Sequence, residues 1–158
     1  MATKTPWAIL RCKFNDNSTE PQPQSFYEQM FTSAGVGTLN MVQFFTDASH
    51  GAIDLSGSRV FGWYTLNKKR SDYLGSGPNG LGRQALVDSA RQAAADAGDD
   101  LSAFYGVVVV MNVPTDLFGG GGPQAVCDPG SMEPSVLGQE MGHGYGLNHS
   151  REDGSEDD

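Results

Sequence analysis

The chain has 158 residues and a formal charge of −9, from 19 acidic against 10 basic side chains. That length suits one domain and can bury roughly two-thirds of the surface exposed by the unfolded chain, and 38% hydrophobic residues beside 21 glycines exclude wholesale disorder. An acidic chain with no basic block excludes the usual footprint of a nucleic-acid or anionic-membrane binder, and no apolar run approaches the roughly 18 residues of a membrane helix.

The first residues lead straight into Trp7-Ala8-Ile9-Leu10 without the apolar stretch of a signal peptide. Residues 6–14 predict a strand, ended by the turn-forming run Asn15-Asp16-Asn17-Ser18. After the extended Pro21-Gln22-Pro23, Ser25 and Glu28 have the spacing of a capping box, which predicts a helix over 26–33. Met41, Val42, Phe45 and Ala48 share one face of a second helix over 39–48. Two strands follow, over 52–55 and 59–66, joined through Gly57; Ile53 and Leu55 alternate with polar neighbours. Lys68-Lys69-Arg70 reads as a solvated loop.

Leu86, Ala90, Ala93, Ala94 and Ala97 form the stripe of a helix over 83–97, stopped by Gly98. The apolar, branched run from Tyr105 to Met111 predicts a central strand covered on both faces. Gly119 to Gly122 is a four-glycine loop open to close backbone approach; lacking a following Gly-Lys-Ser or Gly-Lys-Thr, it is no phosphate loop. A last helix starts at Pro134 and runs to about 146. This order predicts an α/β (α+β) fold, with helices packed on a mixed sheet.

The chemistry concentrates in one segment, Gly138-Gln139-Glu140-Met141-Gly142-His143-Gly144-Tyr145-Gly146-Leu147-Asn148-His149-Ser150. On a helix Gln139 and His143 share a face, with Glu140 beside them. Gly146 allows a left-handed exit, after which His149 can turn back toward His143. A metal between the two imidazoles would have Glu140 in reach of an attacking water.

The segment resembles the zinc signature of metzincin metallopeptidases, H-E-x-x-H-x-x-G-x-x-H, matching four of its five fixed positions: Glu140, His143, Gly146 and His149. Gln139 stands at the first zinc-binding histidine, a degenerate ligand position. Residues 7–14, Asp54-Leu55-Ser56-Gly57 and Phe61-Gly62-Trp63-Tyr64-Thr65 extend the similarity to secreted metallopeptidases of the immune-inhibitor-A type, in which a twisted sheet and two or three helices precede the active-site helix. The resemblance implies a zinc-dependent metalloendopeptidase acting on a peptide or protein substrate. Glu140 would be the general base, His143 and His149 zinc ligands, and Gly146 the structural turn. An edge strand within 107–122 could hold an extended peptide. The resemblance also implies secretion. Residues 1–150 would then be the N-terminal part of the catalytic domain, with the methionine turn of the family lying beyond residue 158, and 151–158 an acidic, disordered tail.

Glutamine supplies zinc only a neutral amide oxygen, so two further readings stand beside the enzyme: an inactive pseudo-peptidase that binds peptide or protein, and an incomplete domain. His50 reads as a loop residue. Cys12 and Cys127 read as two buried thiols, with one bridge between them as the alternative; Cys127, placed in a loop, is a structural thiol before it is a reactive one. The carboxylates of the tail fit no regular calcium loop. Asn17-Ser18-Thr19 and Asn148-His149-Ser150 match the short glycosylation triplet.

Overall fold

The computed structural model describes residues 2–74 and 80–147. Two short strands, β1 (Thr3–Lys4) and β3 (Ile53–Asp54), pair in parallel as a small separate sheet. The main sheet has five strands: β2 (Trp7–Lys13), β4 (Arg59–Thr65), β5 (Gly106–Met111), β6 (Gly119–Gly120) and β7 (Gln124–Cys127). They lie side by side in the order β4-β2-β5-β7-β6. The first four in that order are mutually parallel, and only β6 runs antiparallel, beside β7. The α/β class read from the sequence is therefore the observed one.

Helices cover both faces of the sheet. On one, α4 (Gly82–Asp96) sets Leu86, Val87, Ala90 and Ala94 against Ala8, Leu10, Cys12, Val107, Val109 and Met111. On the other, α1 (Gln24–Phe31), α2 (Met41–Ala48) and α5 (Pro134–Gly142) set Tyr27, Phe31, Phe45, Leu137 and Met141 against Trp7, Ile9, Val108 and Val110. Neighbouring strand residues alternate between these two cores, as the period of two requires. That is why β2 and β5 are apolar at nearly every position. Each buried valine or leucine contributes about 1.5–3 kcal/mol relative to exposure.

Several local expectations are corrected. The Ser25–Glu28 capping box does not form: α1 starts two residues earlier, at Gln24, with Pro23 as its N-cap and no side-chain cap. Glu28 instead accepts from the Gln24 amide at 2.8 Å. The second helix starts at Met41 because Asn40 caps it, accepting from Gln43 N at 3.0 Å. The buried Asn40 also donates to the carbonyl of Thr32 at 2.6 Å, tying the end of α1 to the start of α2. The two strands expected over 52–55 and 59–66 are present as β3 and β4, each in a different sheet. Arg70 is not in a loop; it opens a short helix, α3 (Arg70–Leu74), whose Tyr73 is buried. Part of the four-glycine loop is the edge strand β6. Cys127 closes β7 rather than lying in a loop, and its side chain is in the α5-side core whereas Cys12 is in the α4-side core. Both thiols are free, and the bridge does not form.

Candidate active site at the end of helix α5

Helix α5 begins with Pro134 in its first turn, where a missing N–H costs nothing. Its α-helical part stops at Gly142, and a single 3-10 turn, His143–Tyr145, completes it. The continuous helix expected to 146 is thus tightened at its end. The N–H of His143 still reaches the carbonyl of Gln139, so these two residues remain one α-turn apart. Gly146 then takes the left-handed conformation, with φ 80°. Its N–H bonds the His143 carbonyl at 3.1 Å, and the Leu147 N–H bonds the Gly142 carbonyl at 3.2 Å. Together these make a Schellman motif that satisfies the last carbonyls and reverses the chain. The glycine-ended turn read from the sequence is the observed one.

The reversal has a chemical consequence. His143 Nδ1 bonds the carbonyl of Leu147 at 2.7 Å. A carbonyl only accepts, so the proton of the neutral ring is on Nδ1 and the lone pair on Nε2. A metal-ligating imidazole is commonly oriented by such a bond from its other nitrogen. Gln139 lies on the side of α5 facing α2. There it borders an apolar cleft of about 440 Å³ with Phe44, Phe45, Ile53 and Leu147. His149 lies outside the described residues, as do Asn148 and the acidic tail.

Glu140 points elsewhere, toward β6. A Cβ placed on Gly120 would be 2.5 Å from the Glu140 carbonyl oxygen, so this edge strand rests directly on the backbone of α5. A Cβ placed on Gly119 would lie 3.6 Å from Glu140 Oε2 and would collide with Arg83 Nη1. Gly119 also has φ 133°, a conformation side chains rarely take. The two glycines of β6 therefore serve close approach of backbone to helix and of charged groups to backbone. The sequence marked this run as open to close approach but gave no signal that Arg83, thirty-six residues earlier, would meet it.

An aromatic cluster anchors the turn. Tyr145 Oη is 2.6 Å from Thr5 Oγ1 and accepts from Trp7 Nε1 at 2.9 Å. Its ring stacks on Tyr105, with centroids 5.1 Å apart and planes 6° from parallel. Tyr105 Oη in turn donates to the Gly144 carbonyl at 2.5 Å. Burial raises the Tyr145 phenol above its ordinary pKa, and the bonds with Thr5 and Trp7 oppose that rise. Sequence reasoning placed Trp7 and Tyr105 only as strand residues and missed this support, which depends on contacts 138 and 39 residues apart in the chain.

The other candidates lie apart from this helix end. His50 is exposed, in the turn after α2, where a loop residue was expected. Cys127 is buried, and its thiol is raised far above the ordinary range, first by burial and then by the nearby Asp128. It is no thiolate. Asn17 accepts from Thr19 N at 3.0 Å, inside a turn stapled to Asn112.

For a zinc ion the donor chemistry is divided. His143 has the oriented imidazole a ligand needs, whereas Gln139 brings a neutral amide oxygen, a weak donor. Among the described residues no three His, Cys, Asp or Glu side chains converge on one point. No helix among them is long and apolar enough to cross a membrane. No protein-family model matches the chain, and no curated protein matches it either.

Proposed function

We propose that the chain is a peptide-bond-hydrolysing, zinc-dependent metalloendopeptidase domain of metzincin type, with the peptide laid along β6. The observation that carries this reading is the antiparallel edge strand β6, seated on α5 at Glu140. An edge strand has a row of unpaired backbone groups that an extended peptide can match by adding a strand. A peptide so held passes over the residue that the metzincin resemblance makes the general base. The order of elements also agrees, since a mixed sheet and its covering helices precede α5.

His143 would hold the ion through Nε2, with His149 as the second imidazole and the Gln139 amide oxygen at the third position. Bound zinc supplies Lewis acidity to the scissile carbonyl and the attacking water. Glu140 takes a proton from the water as its oxygen bonds the carbonyl carbon. It then delivers that proton to the amide nitrogen as the C–N bond breaks, leaving a carboxyl and an amine. The backbone of β6 aligns the peptide so that one amide faces this carboxylate. The family resemblance further implies secretion.

A second reading is favoured by one observation, the amide at position 139. In that reading the fold is a pseudo-peptidase that binds peptide along β6 without cleaving it. Incubation with unfolded β-casein and zinc separates the two. The enzyme reading expects new amino termini, lost with chelator and lost in Glu140→Gln. Binding without cleavage, in both the wild-type chain and Gln139→His, establishes the second reading in its place. An absence of both contradicts the two together.

A further inference from the structure

Asp128 is a buried carboxylate near the candidate site that the mechanism proposed above does not use. It directly follows β7 and is 4% exposed. Neutral donors hold it: Oδ2 accepts from the Thr115 N–H at 2.7 Å, and Oδ1 from the Gly130 N–H at 2.8 Å. Thr115 Oγ1 adds a longer bond to Oδ2 at 3.3 Å. Ser131 Oγ is 3.5 Å from Oδ1 but 3.3 Å from the Asp128 carbonyl oxygen, and it has one proton to give. Each carboxylate oxygen has two lone pairs, so acceptor capacity remains on Oδ1. The ion pair found among the described residues is Lys13 with Glu20, which leaves Asp128 without a counter-charge there. Arg70 reaches the same loop but donates to the Pro114 carbonyl at 2.9 Å. A buried charge without a partner is costly, and a cation that reached it would be held.

Asp128 borders a cleft of about 280 Å³ whose apolar walls are Pro114, Phe118 and Val136, with Thr115 and Ser131 as further polar groups. Phe118 is exposed and immediately precedes β6. Val136 lies four residues before Glu140, so the two share a face of α5, about 6 Å apart along its axis. The cleft therefore sits at the Phe118 end of β6, one helical turn from the residue proposed as general base. An extended chain advances about 3.3 Å per residue. A side chain entering the cleft thus belongs to a residue about two places from the amide that faces Glu140. Apolar walls around a buried carboxylate suit a long aliphatic stem that ends in a cation. An acidic side chain would meet the Asp128 charge, and a purely apolar one would leave that charge unpaired. The net charge of −9 also favours encounter with basic segments. We infer that Asp128 is a specificity-determining residue, and that its cleft takes a Lys or Arg side chain of the bound peptide. The inference rests on the β6 reading proposed above, and it holds for cleavage and for binding alone.

The test uses the full chain with zinc and β-casein labelled with fluorescein at its amino terminus. The casein is either unmodified or has its lysines acetylated and its arginines blocked with phenylglyoxal. Anisotropy reads binding, and mass spectrometry maps new amino termini. Modified casein should bind more weakly by on the order of 10–100-fold, and any cuts in unmodified casein should place Lys or Arg at one fixed position. Asp128→Asn keeps an oxygen that can accept from a backbone N–H, and it should lose most of that difference; a thermal melt verifies its fold. Phe118→Ala removes an exposed wall of the cleft without touching the Asp128 bonds and should narrow the difference. Asp116→Asn removes the same charge from an exposed neighbour and should keep the difference. If the wild type binds both caseins equally well, or if folded Asp128→Asn keeps the whole difference, the assignment of Asp128 is overturned and the β6 reading stands. If the wild type neither binds nor cleaves unmodified casein, the β6 reading falls and Asp128 loses its role with it.

Discussion

Tyr145 and Trp7 are joined by a 2.9 Å hydrogen bond, from the indole N–H to the phenol oxygen, across 138 residues of sequence. The bond fastens the turn that carries His143 to the first central strand of the sheet. Tyr145→Phe removes the oxygen and leaves the Trp7 N–H, in a side chain with no exposed surface, without its partner. The expected cost is about 1–3 kcal/mol. Urea denaturation of the two proteins measures it, and an unchanged midpoint would show that the turn is held by ring stacking alone.

The seat of β6 on α5 makes a paired prediction. Gly120→Ala places a methyl 2.5 Å from the Glu140 carbonyl oxygen, a backbone atom that cannot swing aside. Strand and helix must separate, at a cost of about 1–3 kcal/mol. Gly121→Ala meets nothing within 4 Å and should change stability by less than about 0.5 kcal/mol. Equal effects from the two substitutions would mean that β6 does not rest on the helix. Chemical denaturation again supplies the comparison.

Cys12 and Cys127 are both buried, and burial raises each thiol far above the ordinary range. The thiolate is the reacting form, so both should resist iodoacetamide in the folded protein at pH 8 and react fully in guanidinium. Mass spectrometry counts the adducts. Because the side chains lie in cores on opposite faces of the sheet, oxidation of the folded protein should yield no intramolecular bridge. Rapid native alkylation, or a Cys12–Cys127 peptide, would contradict this packing.

The legibility of the chain followed its physics. Long apolar strands and the alanine stripe of α4 announce themselves because both faces of the sheet are covered and one face of the helix is. Gly146 was readable because few residues accept a φ of 80°. The capping-box spacing misleads because spacing alone cannot say which residue starts a helix, and Pro23, two residues before Ser25, is the N-cap of α1. β6 is hidden by its own composition, since glycine carries no strand preference, and β7 by its length, since the four residues Gln124–Cys127 are too few to show an alternation. A two-residue edge strand exists only through its partner. At the candidate site, Gln139, Glu140, His143 and Gly146 were named from spacing. Arg83, Tyr105 and Tyr145 were not, because each arrives through tertiary contacts that no local pattern encodes.

Tyr27 predicts a loss of stability in alkali. It is buried under α1, with the Arg11 guanidinium 5.7 Å from its ring centre. Burial pushes its phenol from 10.0 up to about 12, against an opposing pull from Arg11. The folded state therefore keeps a proton that the unfolded state loses from about pH 10 upward. The contribution is fully present below pH 10 and is lost as pH rises through the folded value near 12. Tyr27→Phe should flatten this part of the stability profile between those two values. A wild-type profile equally flat there would show that the phenol ionises in the folded protein as it does in the open chain.

Zinc affinity tests the account most directly, measured by competition with a chromophoric chelator in the wild-type chain and in Gln139→His. A second-shell change commonly costs ~10–100-fold in metal affinity, and replacing a ligand amide by an imidazole should gain at least that much. The account predicts one zinc per chain in Gln139→His, bound at least tenfold more tightly than in the wild type and lost in His143→Ala. Failure of both chains to take up zinc, with the fold intact by circular dichroism, would contradict it.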